Sequence, residues 1–461
     1  MENSLLDRLK DKFKGDEHLS SLVRGSAISF IFKIIGLGAG YAFILLITRG
    51  YGPEVMGVFA LSLVVLQITS VIARLGMDTF LLRSVAESTA LFYTTNKIKE
   101  TYKEILLLTI PFSILISCAL YYLAPFISEY VFHKSELITP LQYIALGIVP
   151  MTVLFLHREA IRGLKRMVAF SFIDSLAVQL FASIILITLI YFSDSEFSPI
   201  YAHILSLTFA AIFSILIWTT YVNQLRHPKL NNDEIKETKV TRRKILATSF
   251  PMMLSGSLFL LMGWVDTFMI GMYRDISEVG VYSVALKVSA LTSIILISIN
   301  SISAPKFAEM WGKGDLNGLK IVTRYSTKLI FWGALPILLF ILLFPGLILK
   351  VFGVQFELAI TALVLLSLGQ FINSISGSVN YLLNMTGHEK VVLNNITVAL
   401  LINIVLNYIL IPLYGIDGAA LASLMSMAYW NFAGVIYIKY KLGFWTIYIP
   451  FIMNKGEVQV K

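Results

Sequence analysis

Twelve stretches of this chain are apolar enough and long enough to cross a bilayer, and most of the charge lies between them. A spanning helix needs about 20 apolar residues, at ~1.5 Å each, to cross ~30 Å of hydrocarbon. Such runs fall at 25–48, 55–75, 104–126, 137–156, 168–192 and 199–222, then at 246–272, 279–303, 328–349, 356–384, 391–411 and 416–438. A membrane β-barrel would show ~10-residue segments of alternating polarity, whereas these runs are continuous. Only 14% of the 461 residues are charged, against about 25% in soluble domains. The expected fold class is therefore an all-α polytopic membrane protein of about twelve transmembrane helices. Cys118 is the single cysteine, which rules out an intramolecular disulfide, and the scattered histidines form no metal-ligand pattern.

Orientation follows from the basic residues, which favour cytoplasmic loops. With the N-terminus placed inside, 31 lysines and arginines sort to the cytoplasmic side. Only Arg49, Lys134, Arg274 and Lys350 fall outside, while Lys33 and Lys287 lie within spans. Both termini are therefore expected in the cytoplasm. The net charge of +9 then has a topogenic explanation facing anionic lipid, and nucleic acid is not an expected partner. Leu5, Leu6, Leu9 and Phe13 recur at helical spacing among charges, as in an interfacial helix. No cleavable signal is expected, because the next span is too long. No further span is expected within the polar tail 441–461.

The halves repeat. Pro53-Glu54-Val55-Met56-Gly57-Val58-Phe59 returns as Ser277-Glu278-Val279-Gly280-Val281-Tyr282, at an offset of 224 before one deletion. Arg162-Gly163-Leu164 returns as Thr386-Gly387-His388 at the same offset, and Pro111 matches Pro336 within one residue of it. Six helices per half is an even number, so both copies keep one orientation, related by an axis along the membrane normal. The expected organisation is an interfacial segment over 1–24, an N-lobe over 25–222, an inter-lobe loop over 223–245, a C-lobe over 246–440 and a tail over 441–461. Two such pseudo-symmetric bundles can rock about a cleft between them, which a transporter uses and an enzyme does not need.

Several segments together resemble a known family. They are the basic N-terminus before a glycine-containing span, Arg49-Gly50-Tyr51-Gly52-Pro53-Glu54, Leu75-Gly76-Met77-Asp78-Thr79 with Arg83, the turn Arg162-Gly163-Leu164, and the span from Asp266 to Gly271. This pattern is similar to the O-antigen and capsule-type polysaccharide-biosynthesis flippases of the multidrug/oligosaccharidyl-lipid/polysaccharide exporter superfamily. The resemblance implies a flippase that moves an undecaprenyl-diphosphate-linked oligosaccharide across a bacterial cytoplasmic membrane by alternating access. It implies as partners that lipid-linked substrate, membrane lipids, and the polysaccharide polymerase and chain-length proteins. No cofactor is implied, and a proton or sodium gradient is the energy source. It also implies that helices 1, 2, 7 and 8 line the cleft, so that Lys33, Asp266 and Lys287 face it.

Charges inside spans are expensive and usually face a cavity or a partner. Lys33 and Lys287, with Arg49 and Arg274 at the outer mouth and Arg24 and Arg74 at the inner one, are the candidate counter-charges for a diphosphate. Asp266 is the leading candidate for ion coupling, with Asp174 and Asp78 behind it. Competing accounts exist for each. Asp266 and Lys287 pair as a structural lock, Lys33 snorkels to the interface, Arg74 is topogenic, and Asp78 forms a surface pair with Arg83. Asn373, Asn380, Asn384, Asn403 and Asn407 recur in the tenth and eleventh spans and read as interhelical hydrogen-bonding residues, and Trp218 reads as an interfacial belt residue. His157-Arg158-Glu159, the nearest thing to a catalytic cluster, reads as a solvated turn. Within the superfamily, a lipid II flippase or a cation-coupled multidrug exporter is the alternative. Outside it, the alternative is a polytopic glycosyltransferase or polymerase, against which the short outer loops argue.

Overall fold

The computed structural model describes residues 17–90, 95–193, 195–224, 242–448 and 450. The interfacial helix expected near Leu5–Phe13, most of the 223–245 loop and the end of the tail lie outside these residues. Among the described residues every regular element is helical. In chain order they are α1 (Glu17–Arg74), α2 (Met77–Ala90), α3 (Thr95–Phe126), α4 (Ile138–Ala145), α5 (Ile148–Gly163), α6 (Met167–Ser171), α7 (Val178–Phe192) and α8 (Ser198–Gln224). Then follow α9 (Arg242–Tyr273), α10 (Ile276–Ser289), α11 (Ile294–Gly312), α12 (Leu316–Leu343), α13 (Pro345–Lys350), α14 (Ile360–Ser376), α15 (Val379–Met385) and α16 (Glu389–Leu442).

Among the described residues eight helices are long and apolar enough to cross a membrane, or ten if each of two bent pairs makes one span. The tally differs from the twelve sequence runs for a local reason. α1 runs for 58 residues, ~87 Å at the usual helical rise, far more than one hydrocarbon layer. It is broken at Gly52, whose φ of 85° is a left-handed conformation that a Cβ resists. Pro53 follows, where its missing N–H costs a new helix nothing. α16 is broken in the same way at Gly415, φ 58°, three residues after Pro412. Of the bent pairs, one turns by 46° between Ala145 and Ile148 and the other by 57° between Leu258 and Leu260.

Two compact units form. One holds the chain up to Gly50, Val65–Tyr130 and Lys134–Leu254; the other holds Tyr51–Val64, Val131–His133 and everything from Ser255 on. The boundary thus falls beyond the 223–245 loop, and the second unit also takes a short piece of the N-terminal half. Packing explains that piece. A Cβ on Gly57 would stand 1.9 Å from the Ile276 carbonyl oxygen, and one on Gly280 would stand 1.9 Å from the Pro53 carbonyl oxygen. These are repeat-related glycines, so two copies of one motif cross backbone to backbone within a single unit. Elsewhere in that unit Phe307, Leu319, Leu382, Ala399 and Ile438 form a fully buried cluster. Large apolar side chains such as Tyr191, Phe192, Leu343 and Leu358 are exposed, as a lipid-facing surface requires.

Candidate functional site

Asp266 sits in the apolar α9 and only 3% of its surface is accessible. An ionised carboxylate in that setting must be hydrogen-bonded or paired. Four neutral groups meet it. Tyr282 Oη of α10 donates to Oδ2 at 2.8 Å, and Ser423 Oγ of α16 donates to the same oxygen. Asn403 and Asn407, one helical turn apart on α16, donate to Oδ1 through Nδ2 at 3.1 and 2.7 Å. Asn407 Nδ2 also reaches Asn403 Oδ1 at 3.1 Å. The break at Gly415 is what lets one continuous element supply both the asparagines and Ser423.

The ring has a chemical asymmetry. Every donor points at the carboxylate, while Asn407 Oδ1 is buried without a hydrogen-bond partner among the described residues. If Asp266 loses its negative charge, the amides gain by turning their carbonyls inward. The carboxylate, two amide oxygens and two hydroxyls then form an all-oxygen set suited to a hard cation; a proton on Asp266 instead removes the need for four donors. Among the described residues no group of three or more His, Cys, Asp or Glu side chains forms a metal-binding cluster.

The first unit handles charge differently. Arg74, buried at the end of α1, pairs with Asp78 at 3.2 Å, donates to the Ser70 carbonyl at 3.1 Å and lies 4.0 Å over the Phe155 ring. Arg158 lies 4.1 Å over the same ring and pairs with Glu159 at 2.8 Å and Asp174 at 3.1 Å. Arg162 closes on Glu159 at 3.3 Å. Three guanidiniums and three carboxylates are thereby balanced, two of the guanidiniums over the Phe155 ring and Arg162 at 5.3 Å over Phe170, a cation–π geometry on top of ion pairing.

Several sequence expectations change here. His157-Arg158-Glu159 is not a solvated turn. It belongs to α5, where His157 and Glu159 are buried and His157 bonds Tyr102 at 2.6 Å. Trp218 is not a belt residue but is buried, 5.2 Å from Tyr102. Asp78 pairs with Arg74 across the Leu75-Gly76 turn between α1 and α2 rather than with Arg83, which takes Glu87 at 2.7 Å one turn further along α2. Asp174 is tied to Arg158. Among the described residues no ion pair joins Asp266 to Lys287; the neutral ring takes the place of that lock.

The remaining candidates scatter. Lys33 on α1, Arg49 near its break and Lys287 on α10 are exposed. Arg274 pairs with Glu278 at 3.0 Å, a hydrogen bond that raises its pKa above the ordinary value. Arg24 lies on α1 with its side chain outside the described set. Sequence reasoning missed Tyr282 and Ser423. The repeat held one clue, since Tyr282 carries a hydroxyl where its counterpart Phe59 has none.

Comparison with solved structures defines the class first. An inward-facing multidrug-resistance MATE family transporter of the MOP superfamily superposes with a TM-score of 0.70 at 15% identity, covering 90% of this chain and 98% of that one. The lipid II flippase MurJ in an inward closed conformation gives 0.71 at 14% identity, covering 90% and 87%. At such identities the likeness is one of fold, that of the multidrug/oligosaccharidyl-lipid/polysaccharide exporter superfamily of multi-pass membrane proteins.

Within that fold, residues 22–311 match the family model for polysaccharide biosynthesis proteins, and the chain belongs to that family. Residues 251–409 also match the MatE model. The probable flippase AglR of Haloferax volcanii is 29% identical over 167 residues, 36% of this chain and 35% of that protein. The probable low-salt glycan biosynthesis flippase Agl15 of the same organism is 27% identical over 166 residues, with the same two shares. The chain spans about a third of the length of these curated relatives.

Proposed function

We propose that this protein is a flippase that carries a lipid-linked oligosaccharide across the cytoplasmic membrane by alternating access, driven by a cation gradient read at Asp266. The match to the polysaccharide biosynthesis family over residues 22–311 carries the assignment. The carrier is a polyprenyl diphosphate, undecaprenyl diphosphate in a bacterial host, bearing an O-antigen, capsule or exopolysaccharide repeat unit. Splitting α1 at Gly52 and α16 at Gly415 turns ten spans into twelve, six per repeat, with both termini in the cytoplasm.

Mechanistically, the diphosphate must cross a low-dielectric layer with its charge compensated. Lys33 and Lys287, exposed on their helices, supply counter-charge, with Arg49 and Arg274 at the outer end. Arg74, Asp78 and Asp174 are committed to the balanced cluster around Phe155 and hold helix ends together instead. Asp266 is the coupling group. Its charge decides whether the four donors stay turned inward, so a proton or sodium ion changes how tightly α9, α10 and both limbs of α16 are drawn together.

The test uses a host whose surface polysaccharide depends on this gene. Lys33→Ala, Asp266→Asn and Lys287→Ala are introduced singly, and surface polymer is measured against cytoplasmic-face lipid-linked intermediate. Normal membrane expression, lost polymer and accumulated intermediate are expected for Asp266→Asn and at least one lysine variant. Loss of polymer without accumulation points to an upstream enzymatic step and ends the flippase assignment. Unchanged polymer in all three removes the residue assignments.

A further inference from the structure

Around α14 the second unit contains a set of buried polar groups that the mechanism above leaves unused. Helices α10 and α11 are joined by a tight 3₁₀ turn, Ala290–Ser293, and this turn, α11 and α12 all pack against one another and, save α11, against α14. Along these elements Ser289, Thr292, Ser293, Asn300, Ser303, Thr323, Ser326, Thr327, Ser367 and Ser374 are buried in a part of the molecule otherwise built from Leu, Ile and Phe. Two hydrogen bonds cross between elements: Ser293 Oγ donates to Gln370 Oε1 at 2.5 Å, and Ser303 and Ser326 share a hydroxyl contact at 2.8 Å.

Most hydroxyls in membrane helices turn back onto their own carbonyls, as Ser289, Thr323, Thr327 and Ser374 do here. Four buried polar atoms do not. Thr292 Oγ1, Asn300 Oδ1, Ser367 Oγ and Ser378 Oγ have no hydrogen-bond partner among the described residues. Lipid offers none either. The small molecule that satisfies both donors and acceptors in such a place is water, which takes two to four partners at a polar buried site.

The seam also has two ends of the right kind. On α14, Gly369 lies against Leu424 and Met427 of α16, with a Cβ position 3.3 and 3.2 Å away. That places α14 beside the turn holding Ser423 and Ser426, which bond Asp266 and Asn403. Toward the other end, α11 and α12 pass the Ser303–Ser326 contact and finish at the exposed turn Gly312–Leu316.

We propose that this seam holds a file of internal waters that carries protons between Asp266 and the aqueous end of α11 and α12. The inference rests on Asp266 being the coupling group. Each step breaks one O–H bond as it forms the next, so charge is conserved until the carboxylate oxygen of Asp266 accepts the last proton. Tyr282 is the titratable group bonded to that carboxylate among the described residues, and its hydroxyl donates throughout.

The experiment uses the full chain in lipid nanodiscs. Stopped-flow proton uptake after a pH jump is followed with an indicator dye, and the difference between wild type and Asp266→Asn isolates the proton taken by Asp266. In the double variant Thr292→Val with Gln370→Leu, that phase should slow by about tenfold, roughly the cost of one lost hydrogen-bonding partner, with its amplitude retained. Hydroxyl radicals made by X-ray radiolysis of water should label side chains over 286–303 and 363–378 in wild type and label them less in the double variant. An Asp266 phase of unchanged rate, no Asp266 phase at all, or an unlabelled seam overturns the proposal. A dry seam has its own signature: Thr292→Val raises the melting temperature and leaves uptake untouched. None of these readouts requires oligosaccharide transport, so failure of the flippase assignment shows separately in the cellular assay.

Discussion

In the second unit one carboxylate, Asp266, is held by two amides and two hydroxyls. In the first, three arginines and three acids neutralise one another, with Arg74 and Arg158 stacked on Phe155. A balanced set of ion pairs has every partner it needs and resists change, since removing one member strands another. A lone acid among neutral donors is different, because binding one cation alters the net charge of the whole group. The repeat sharpens the contrast. At the 224-residue offset Asn403 and Asn407 correspond to Gln179 and Ser183, and Asp266 corresponds to Ala42. The first unit kept the packing, with Ser183 Oγ bonding the Ala39 carbonyl at 3.0 Å and Gln179 beside Gly40, but it has no acid there. The repeat gives both halves the frame, and the acid stands in one of them.

Four predictions bear on this contrast, taken from the largest effect down. Asp266→Asn keeps the shape and removes the ionisable group; polymer export should fall by about a hundredfold, the scale of a lost proton-transfer group, with expression unchanged on immunoblots. Arg158→Ala strands Asp174 and leaves Glu159 to Arg162 alone, and should lower stability by about 2–3 kcal/mol, below the full cost of a broken buried pair because 22% of the Arg158 side chain remains accessible. Thermal unfolding in detergent measures it, and adding Asp174→Ala should recover part of the loss. If Arg158→Ala is silent, the first unit does not depend on charge balance.

Gly57→Ala and Gly280→Ala test the repeat itself. Each Cβ would meet a carbonyl oxygen at 1.9 Å, so each should cost about 1–3 kcal/mol by overpacking, and the two losses should be alike. Unequal losses would mean the crossing is not symmetric in the working protein. At the small end, Asn403→Leu should cost about 1 kcal/mol for a lost hydrogen bond and weaken the cation dependence of export. Gln179→Leu, its counterpart, should stay within about 0.5 kcal/mol, as substitutions away from such networks do. A Gln179→Leu effect as large as that of Asn403→Leu would erase the distinction between the halves.

Asp266 was legible in the sequence because a charge in an apolar run is conspicuous, and the superfamily was legible because the repeat and the Gly-Pro-Glu segment survive. Asn403 and Asn407 were visible as polar residues one turn apart, but nothing local said that they point at an acid. Tyr282 and Ser423 were hidden for another reason. Serine and tyrosine are common in membrane helices, and they lie 16 and 157 residues from Asp266, a distance no local pattern bridges. His157-Arg158-Glu159 misled because polar residues at the end of an apolar run look solvated until Asp174 and Phe155 are folded over them. The described helices number fewer than the twelve apolar runs because α1 and α16 each continue through a glycine break.

That break at Gly415 makes α16 behave like a pair of tweezers. Its two arms are one polypeptide joined at a glycine pivot, and both hold Asp266 partway along their length, Asn403 and Asn407 at Oδ1 and Ser423 at Oδ2. Under the proposed coupling role of Asp266, a cation bound in this grip would act on both arms of a single element of more than fifty residues.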